Sequence, residues 1–233
     1  MLRFFAKYKG FAVTLFVLSA VIVSIIYGLK KPTPKLPVYQ PSEVNPELVD
    51  SSIQYVRKYH TIADFELINQ NGDTITQADY AGKIYVADFF FTTCQTICPI
   101  MTGHMLQLQK ALKNEGDVLL LSHTVTPKID TVERLKEYAL EKGVDPKKWN
   151  LVTGSKKEIY NLARKSYLVT KTKGNGGPYD MIHTENFVLV DKEKRIRGFY
   201  DGTDPKAIEK LLNDIEILKL EYQPGSGFLF GIF

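Results

Sequence analysis

The strongest structural signal in the chain is the sequence IYVADFFFTTCQTICP, residues 84–99. Its first half, Ile84 to Phe91, is a dense run of aromatic and β-branched residues, which predicts a strand buried on both faces of a sheet. Proline suits the first turn of a helix, so Pro99 predicts that a helix begins beside it. Cys94 and Cys98 therefore lie in a turn between a buried strand and a helix.

On both sides of this stretch, the pattern of apolar residues predicts the remainder of an α/β domain. Phe65–Ile68 predicts an earlier strand, and Val118–Leu121 predicts the strand that completes a β-α-β unit. Further along, Phe187–Val190 and Ile196–Tyr200 predict a hairpin. The spacing of apolar residues from Ile208 to Ile215 predicts a closing helix. The order β-α-β followed by β-β-α is that of the thioredoxin fold, so we predict a thioredoxin-like fold with a central mixed sheet flanked by helices.

The bulk composition excludes several classes of function. The chain has 233 residues, of which 44% are hydrophobic and 24% charged, as expected of a globular domain. Its net charge of +4 comes from scattered lysines and not from a basic block, so we expect no nucleic-acid partner. The 2 cysteines are too few for a disulfide framework, and their value must be local.

The N-terminal run from Phe11 to Leu29 contains no charged side chain. At about 1.5 Å per residue, a helix of this length spans roughly 28 Å, close to the hydrocarbon thickness of a bilayer. A cleaved signal peptide is the alternative, but its apolar core should be shorter and should end in a small-x-small site, which residues 25–30 lack. We predict that residues 1–30 are an uncleaved transmembrane anchor. The flanking charges give only a slight preference for a cytoplasmic N-terminus.

The other boundaries follow from composition. Prolines disfavour helix in residues 31–51, which predicts a stiff, extended linker, although Leu36–Tyr39 could also add an edge strand to the domain. Residues 52–222 are the predicted thioredoxin-like domain. The apolar tail, residues 223–233, receives no role.

The position of Cys94 and Cys98 favours functional thiols. A helix N-terminus carries partial positive charge, which favours thiolate over thiol, and the thiolate is both the nucleophile and the metal ligand. One helical turn would separate the two residues by about 6 Å between Cα atoms, within reach of a disulfide or a shared metal. The alternative is a structural disulfide, but a ring this small removes only about 2 kcal/mol of unfolded-chain entropy.

Asp88 precedes Cys94 on the strand of phenylalanines, at the offset where thioredoxins carry a buried carboxylate. Burial would raise the pKa of this carboxyl group, which makes Asp88 a candidate proton relay for thiol exchange. The alternative is a strand-end residue with an ordinary hydrogen-bonded partner.

His183 is the best ligand candidate among the 4 histidines. It directly precedes the predicted hairpin, where thioredoxins place the cis-proline loop that faces their cysteines, and the glycines of residues 174–177 would let that loop move. His123 is the second candidate, because it ends a core strand near the same edge of the sheet. His60 and His104 are predicted to lie on the surface.

Taken together, these motifs resemble the SCO/SenC family, and the resemblance covers residues 55–220. The motifs that carry it are the Cys-x-x-x-Cys-Pro loop after a phenylalanine-rich strand, SHTVTP at 122–127 with Asp130 and Thr131, WNLVTG at 149–154, and the lone late His183. Two departures are Ile182, where an acidic residue is expected, and Thr126, where an Asp is expected before Pro127. Both leave the ligands intact but weaken inferences about the groups that surround them.

The resemblance implies a thioredoxin-fold protein of the bacterial or mitochondrial inner membrane that binds one copper ion through Cys94, Cys98 and His183. It also implies a role in assembling the dinuclear copper centre of cytochrome c oxidase subunit II. Two thiolates and an imidazole suit Cu(I), with Cu(II) as the other accessible state, and a three-coordinate site leaves room for a partner's ligand. Structural zinc would require a fourth protein ligand, and the sequence offers no obvious one.

The leading hypothesis is therefore a metallochaperone, anchored in the bacterial inner membrane with its domain on the extracytoplasmic side. Its expected partners are the oxidase subunit II, a thiol reductant or another copper carrier, and the membrane itself. The alternative is a thiol-disulfide oxidoreductase with Cys94 as nucleophile and Cys98 as resolving thiol. Peroxide reduction is a distant third, since no polar groups that would polarise a peroxide are evident around Cys94.

Overall fold

The computed structural model describes residues 8–29, 34–170, 177, 180–182 and 184–223, and of residues 26–29 it describes the backbone alone. Two compact units are present. Among the described residues, one unit comprises residues 8–29, Pro34 and Gln223, and the other comprises those between Lys35 and Tyr222.

The first unit contains helix α1, Lys9–Leu29, which covers the predicted uncharged run. Its side chains up to residue 25 are exposed. Within the part of the chain that the structure describes, none of the helices combines the length and the apolar character needed to span a bilayer.

The second unit contains seven strands and four α-helices in the part that the structure describes. The strands are β1 Glu66–Asn69, β2 Thr74–Thr76, β3 Ile84–Phe90, β4 Val118–Thr124, β5 Trp149–Thr153, β6 Asn186–Val190 and β7 Ile196–Asp201. The helices are α2 Cys98–Ala111, α3 Val132–Lys142, α4 Lys156–Asn161 and α5 Pro205–Glu221. A π-helical turn, Leu162–Ser166, continues α4.

The strands form one mixed sheet in the order β2-β1-β5-β4-β3-β6-β7. Strands β3, β4 and β5 are parallel, whereas β6 runs antiparallel to β3, and β1 antiparallel to β5. A helix links β3 to β4, as a parallel crossover requires, and the β6-β7 hairpin leads into the closing helix. The predicted mixed sheet and the order β-α-β then β-β-α are therefore confirmed.

Strand β3 separates two hydrophobic cores, because all of its residues are buried and alternate side chains point to opposite faces. On one face, Val86 and Phe90 pack with Cys98 and with the apolar sides of α2, α3 and α5. On the other face, Phe89 packs with α4 and its π-helical turn. Asp88 follows the alternation of Val86 and Phe90, so it lies on the face of Cys98.

From Lys35 onward the proline-rich segment belongs to the second unit, and it forms no strand over Leu36–Tyr39. The buried Arg197 guanidinium donates from Nη2 to the Leu36 carbonyl (2.7 Å) and from Nε to the Pro37 carbonyl (3.0 Å). The Tyr39 N–H donates to the Ile196 carbonyl (2.9 Å). A buried arginine thus replaces the strand pairing that the sequence left open.

Candidate metal and thiol site

The turn between β3 and α2 presents both cysteines at the carboxyl end of the parallel strands. Cys98 is the first residue of α2, with Pro99 in the first helical turn, where a missing N–H costs nothing. The Cys94 N–H donates to the Phe91 carbonyl (3.3 Å) and closes the preceding turn. Both thiols are free, and Cys94 is partly exposed whereas Cys98 is 4% exposed.

The two thiols differ in acidity. Burial alone would raise the pKa of Cys94, but hydrogen bonds from the Cys98 thiol, the Cys98 N–H (3.4 Å to Sγ) and Thr96 outweigh it and lower this pKa to about 7. Burial raises the pKa of Cys98 to about 12, and its hydrogen bond to Cys94 adds to the effect. The pair therefore offers one accessible thiolate near neutral pH and one protonated, shielded partner.

Asp88 is 2% exposed and lies on the same face of the sheet as Cys98. The Ser122 hydroxyl donates to its carboxyl group, and Trp149 Nε1 lies 2.8 Å from the same hydroxyl oxygen. Burial raises the pKa of Asp88 to about 7, even though the Ser122 hydrogen bond lowers it. A carboxyl group with this pKa can take up and release protons near neutral pH.

Asp130 is a residue of the site that the sequence analysis named only within a motif. It is 0% exposed, and its carboxylate accepts hydrogen bonds from the hydroxyls of Thr92 (2.5 Å), Thr124 and Thr126 (2.9 Å) and from the Thr92 N–H (3.2 Å). These bonds join the cysteine turn, residues 91–97, to the end of β4 and the loop that follows it. The sequence did contain a signal for this contact, because threonines lie on both sides of Asp130 in the loop that follows a predicted strand.

His123 is not brought together with the cysteines. Its ring is 0% exposed and stacks on Phe89, with ring centroids 4.8 Å apart, on the face of the sheet opposite Cys98. Phe65 and Tyr167 approach the same ring edge-on. Burial lowers the pKa of His123 to about 4, so the ring is neutral at physiological pH. Alternation along β4 thus removes the second ligand candidate from the site.

The two histidines that were predicted to lie on the surface are half-buried instead. His60 Nε2 lies 2.8 Å from the Ser166 carbonyl oxygen, and His104 Nδ1 lies 2.7 Å from the Gly202 carbonyl oxygen. Each ring is tied to the backbone of a distant segment, a contact that the sequence pattern does not reveal.

His183 lies outside the described residues, as do residues 171–176. Its neighbours Ile182 and Thr184 are both buried. The carbonyl of Asp180, shortly before Ile182 in the sequence, accepts a hydrogen bond from Lys156 Nζ (2.6 Å). Within the described ranges, no group of three His, Cys, Asp or Glu side chains is placed to hold a metal ion.

The described geometry supports two kinds of chemistry. An accessible thiolate beside a shielded thiol is the arrangement that attacks a disulfide and then resolves the mixed disulfide. The same two sulfurs, when deprotonated, are soft donors that suit Cu(I). A further donor from outside the described residues would complete a three-coordinate site.

The family model described as SCO1/SenC matches residues 54–218 of the chain. A SCO1/SenC family lipoprotein from Bacillus anthracis str. Ames is 34% identical, with a TM-score of 0.61, over 69% of this chain and 95% of that chain.

Two further solved structures similar to this chain are of proteins with a disulfide switch or with bound copper. BsSco, a member of the Sco family of cytochrome c oxidase assembly proteins with a disulfide switch, is 32% identical with a TM-score of 0.58, over 68% of this chain and 93% of its own. Arabidopsis thaliana ScoI, solved with copper bound, is 28% identical with a TM-score of 0.53, over 66% of this chain and 97% of its own.

Proposed function

The chain belongs to the SCO1/SenC family, and from this premise we propose that it binds one copper ion through Cys94, Cys98 and His183. We propose further that it delivers this copper to the dinuclear copper centre of cytochrome c oxidase subunit II, or prepares that centre to receive it. The observation that carries the proposal is the pair of free, unequal thiols at the start of α2. The copper-bound Arabidopsis relative and the assembly role of BsSco support it.

The donor set fits copper as a cargo. Two thiolates are soft ligands that favour Cu(I), and an imidazole can complete a three-coordinate site. Such a site leaves a position from which a recipient's ligand can begin to take the metal. Because burial raises the pKa of Cys98 to about 12, copper must displace a proton from this thiol, and metal uptake is therefore coupled to proton release.

The experiment is an anaerobic Cu(I) titration of the full-length protein in detergent micelles, with a chelator competing for the metal. We expect one copper per reduced chain. We expect none in the protein oxidised to the Cys94–Cys98 disulfide, because both thiolates are consumed by the bond. Equal copper uptake by the reduced and oxidised proteins would disprove the proposed ligand set.

A second function, thiol-disulfide exchange, is favoured by the unequal acidity of the thiols. The Cys94 thiolate would attack a substrate disulfide, form a mixed disulfide and release one substrate thiolate. Asp88 would then accept the Cys98 proton, and the new Cys98 thiolate would attack Cys94 and release the second substrate thiolate. The substrate gains two electrons and the protein leaves as a disulfide, so a thiol reductant must restore it.

Attachment to the bacterial inner membrane is part of the proposal. The uncharged run from Phe11 to Leu29 supports a single-pass anchor with the domain on the extracytoplasmic side, where the proposed target's copper centre lies. The Bacillus anthracis relative is described as a lipoprotein, which is another form of membrane attachment. Protease added outside right-side-out cells, after any outer membrane is opened, should digest the domain; protection would place it in the cytoplasm.

A further inference from the structure

The Asp130 carboxyl group is buried, and three threonine hydroxyls and one backbone N–H donate hydrogen bonds to it. Buried polar groups are costly unless they are hydrogen-bonded, so each of these donors stabilises the carboxyl group in its place. Asp130 lies in the loop between β4 and α3, and two of its donors, Thr124 and Thr126, belong to that same part of the chain. The other two come from Thr92, in the cysteine turn.

Thr92 is therefore a cross-link between two segments that are far apart in sequence. Its N–H and its hydroxyl both donate to the Asp130 carboxylate, at 3.2 Å and 2.5 Å. Arg134 Nε, on α3, donates in turn to the Thr92 hydroxyl oxygen (3.3 Å), which fixes the direction of the hydroxyl proton. A bidentate contact of this kind restrains both the position and the orientation of a backbone segment.

The restrained segment carries Cys94. Between Thr92 and Cys98 the chain turns, and the Cys98 N–H reaches the Cys94 Sγ at 3.4 Å. The Cys94 side chain is only partly buried, although it packs against the core that contains Cys98, so its distance from Cys98 depends on where the turn begins. A fixed start to the turn raises the effective concentration of one thiol at the other.

We propose that Asp130 is a positioning residue, which fixes the cysteine turn through Thr92 and so sets the geometry of the two thiols. The inference rests on the proposed use of Cys94 and Cys98 as a working pair. It adds that the loop after β4, which carries Asp130, helps to position the two thiols.

The test compares two threonines that donate to the same carboxylate. Thr92→Val removes the hydroxyl on the cysteine turn, and Thr126→Val removes a hydroxyl from the loop of Asp130 itself. The measurement is the equilibrium constant for forming the Cys94–Cys98 disulfide in the full-length protein, against a dithiothreitol redox buffer. We expect Thr92→Val to disfavour the disulfide at least fivefold, because the freed turn lowers the effective concentration of the thiols. Thr126→Val should stay within twofold of the wild type.

The conservative variant separates positioning from loss of stability. Thr92→Ser keeps the hydroxyl and should restore the wild-type equilibrium constant. Equal effects of Thr92→Val and Thr126→Val would show that Asp130 only stabilises the fold, and an unchanged Thr92→Val or a defective Thr92→Ser would also overturn the proposal. Failure of the wild-type protein to bind copper would instead refute the proposed metal site and leave this result standing.

Discussion

The two faces of the sheet each bury one ionisable side chain, and burial raises the pKa of one and lowers the pKa of the other. On the face of Cys98, Asp88 receives a hydrogen bond from Ser122 and keeps a pKa of about 7. On the other face, His123 stacks among aromatic rings, its Nε2 has no hydrogen-bond partner within the described residues, and its pKa falls to about 4. Neighbouring strands in register thus give a polar site on one side and a sealed aromatic core on the other.

The contrast should appear most strongly in the pH dependence of stability. Asp88 binds its proton more tightly in the folded state, so its contribution is complete below its ordinary pKa of 3.8 and is lost as the pH rises towards 7. His123 binds its proton more weakly when folded, so its contribution is complete above 6.5 and is lost as the pH falls towards 4. The two effects oppose each other, with sizes of about 4 and about 3 kcal/mol.

Substituting Asp88 or His123 should therefore change the pH dependence of the free energy of unfolding in opposite directions. With Asp88→Asn, the free energy of unfolding should rise with pH between about 4 and about 7, whereas with His123→Phe it should fall over the same range. Urea unfolding of the full-length protein, followed by circular dichroism at several pH values, measures both slopes. Parallel slopes for the two variants would mean that the faces do not differ in this way.

Loss of the proposed histidine ligand should weaken copper binding by about tenfold, whereas loss of another histidine should not. His183→Ala removes one of three proposed donors, so we expect a dissociation constant at least tenfold weaker, or about 1.4 kcal/mol. His60→Ala is a matched control, because this half-buried ring contacts only a backbone carbonyl among its described hydrogen bonds. Competition with a Cu(I) chelator gives both constants. Wild-type affinity in His183→Ala would remove this histidine from the site and favour the exchange function.

The smallest expected effect concerns the proton at Cys98. Asp88→Asn cannot accept that proton, so closure of the Cys94–Cys98 disulfide from a mixed disulfide at Cys94 should slow near neutral pH. Ser122→Ala keeps the carboxyl group but removes the hydrogen bond that lowers its pKa, so closure should reach its full rate at a higher pH. Release of a chromophoric thiolate from Cys94 reports the rate. An unchanged rate in Asp88→Asn would leave Asp88 a purely structural residue.

Short stretches of sequence were enough to predict the elements whose formation depends on neighbouring residues. The apolar run of β3 and the proline at the start of α2 placed Cys94 and Cys98 correctly, because burial and helix initiation act over a few residues. Strand β5 was missed as a strand. Its residues alternate little in polarity, and its pairing comes from β4 and β1, which lie far away in sequence.

The site was less predictable than the fold. The contact of Thr92 with Asp130 joins positions that only the folded sheet brings together, so no local pattern announces it. His123 looked close to the cysteines because it ends a neighbouring strand, but its side chain points to the opposite face. The placement of His183 on the metal stays a prediction, since this residue lies outside the described ranges.

X-ray absorption spectroscopy at the copper edge identifies the atoms that bind the metal. The sample is the reduced full-length protein loaded anaerobically with one equivalent of Cu(I). We predict two sulfur ligands and one imidazole nitrogen per copper, with the nitrogen lost in His183→Ala and retained in His60→Ala. A first coordination shell of nitrogen and oxygen alone, or a nitrogen that survives His183→Ala, would contradict the proposed ligand set.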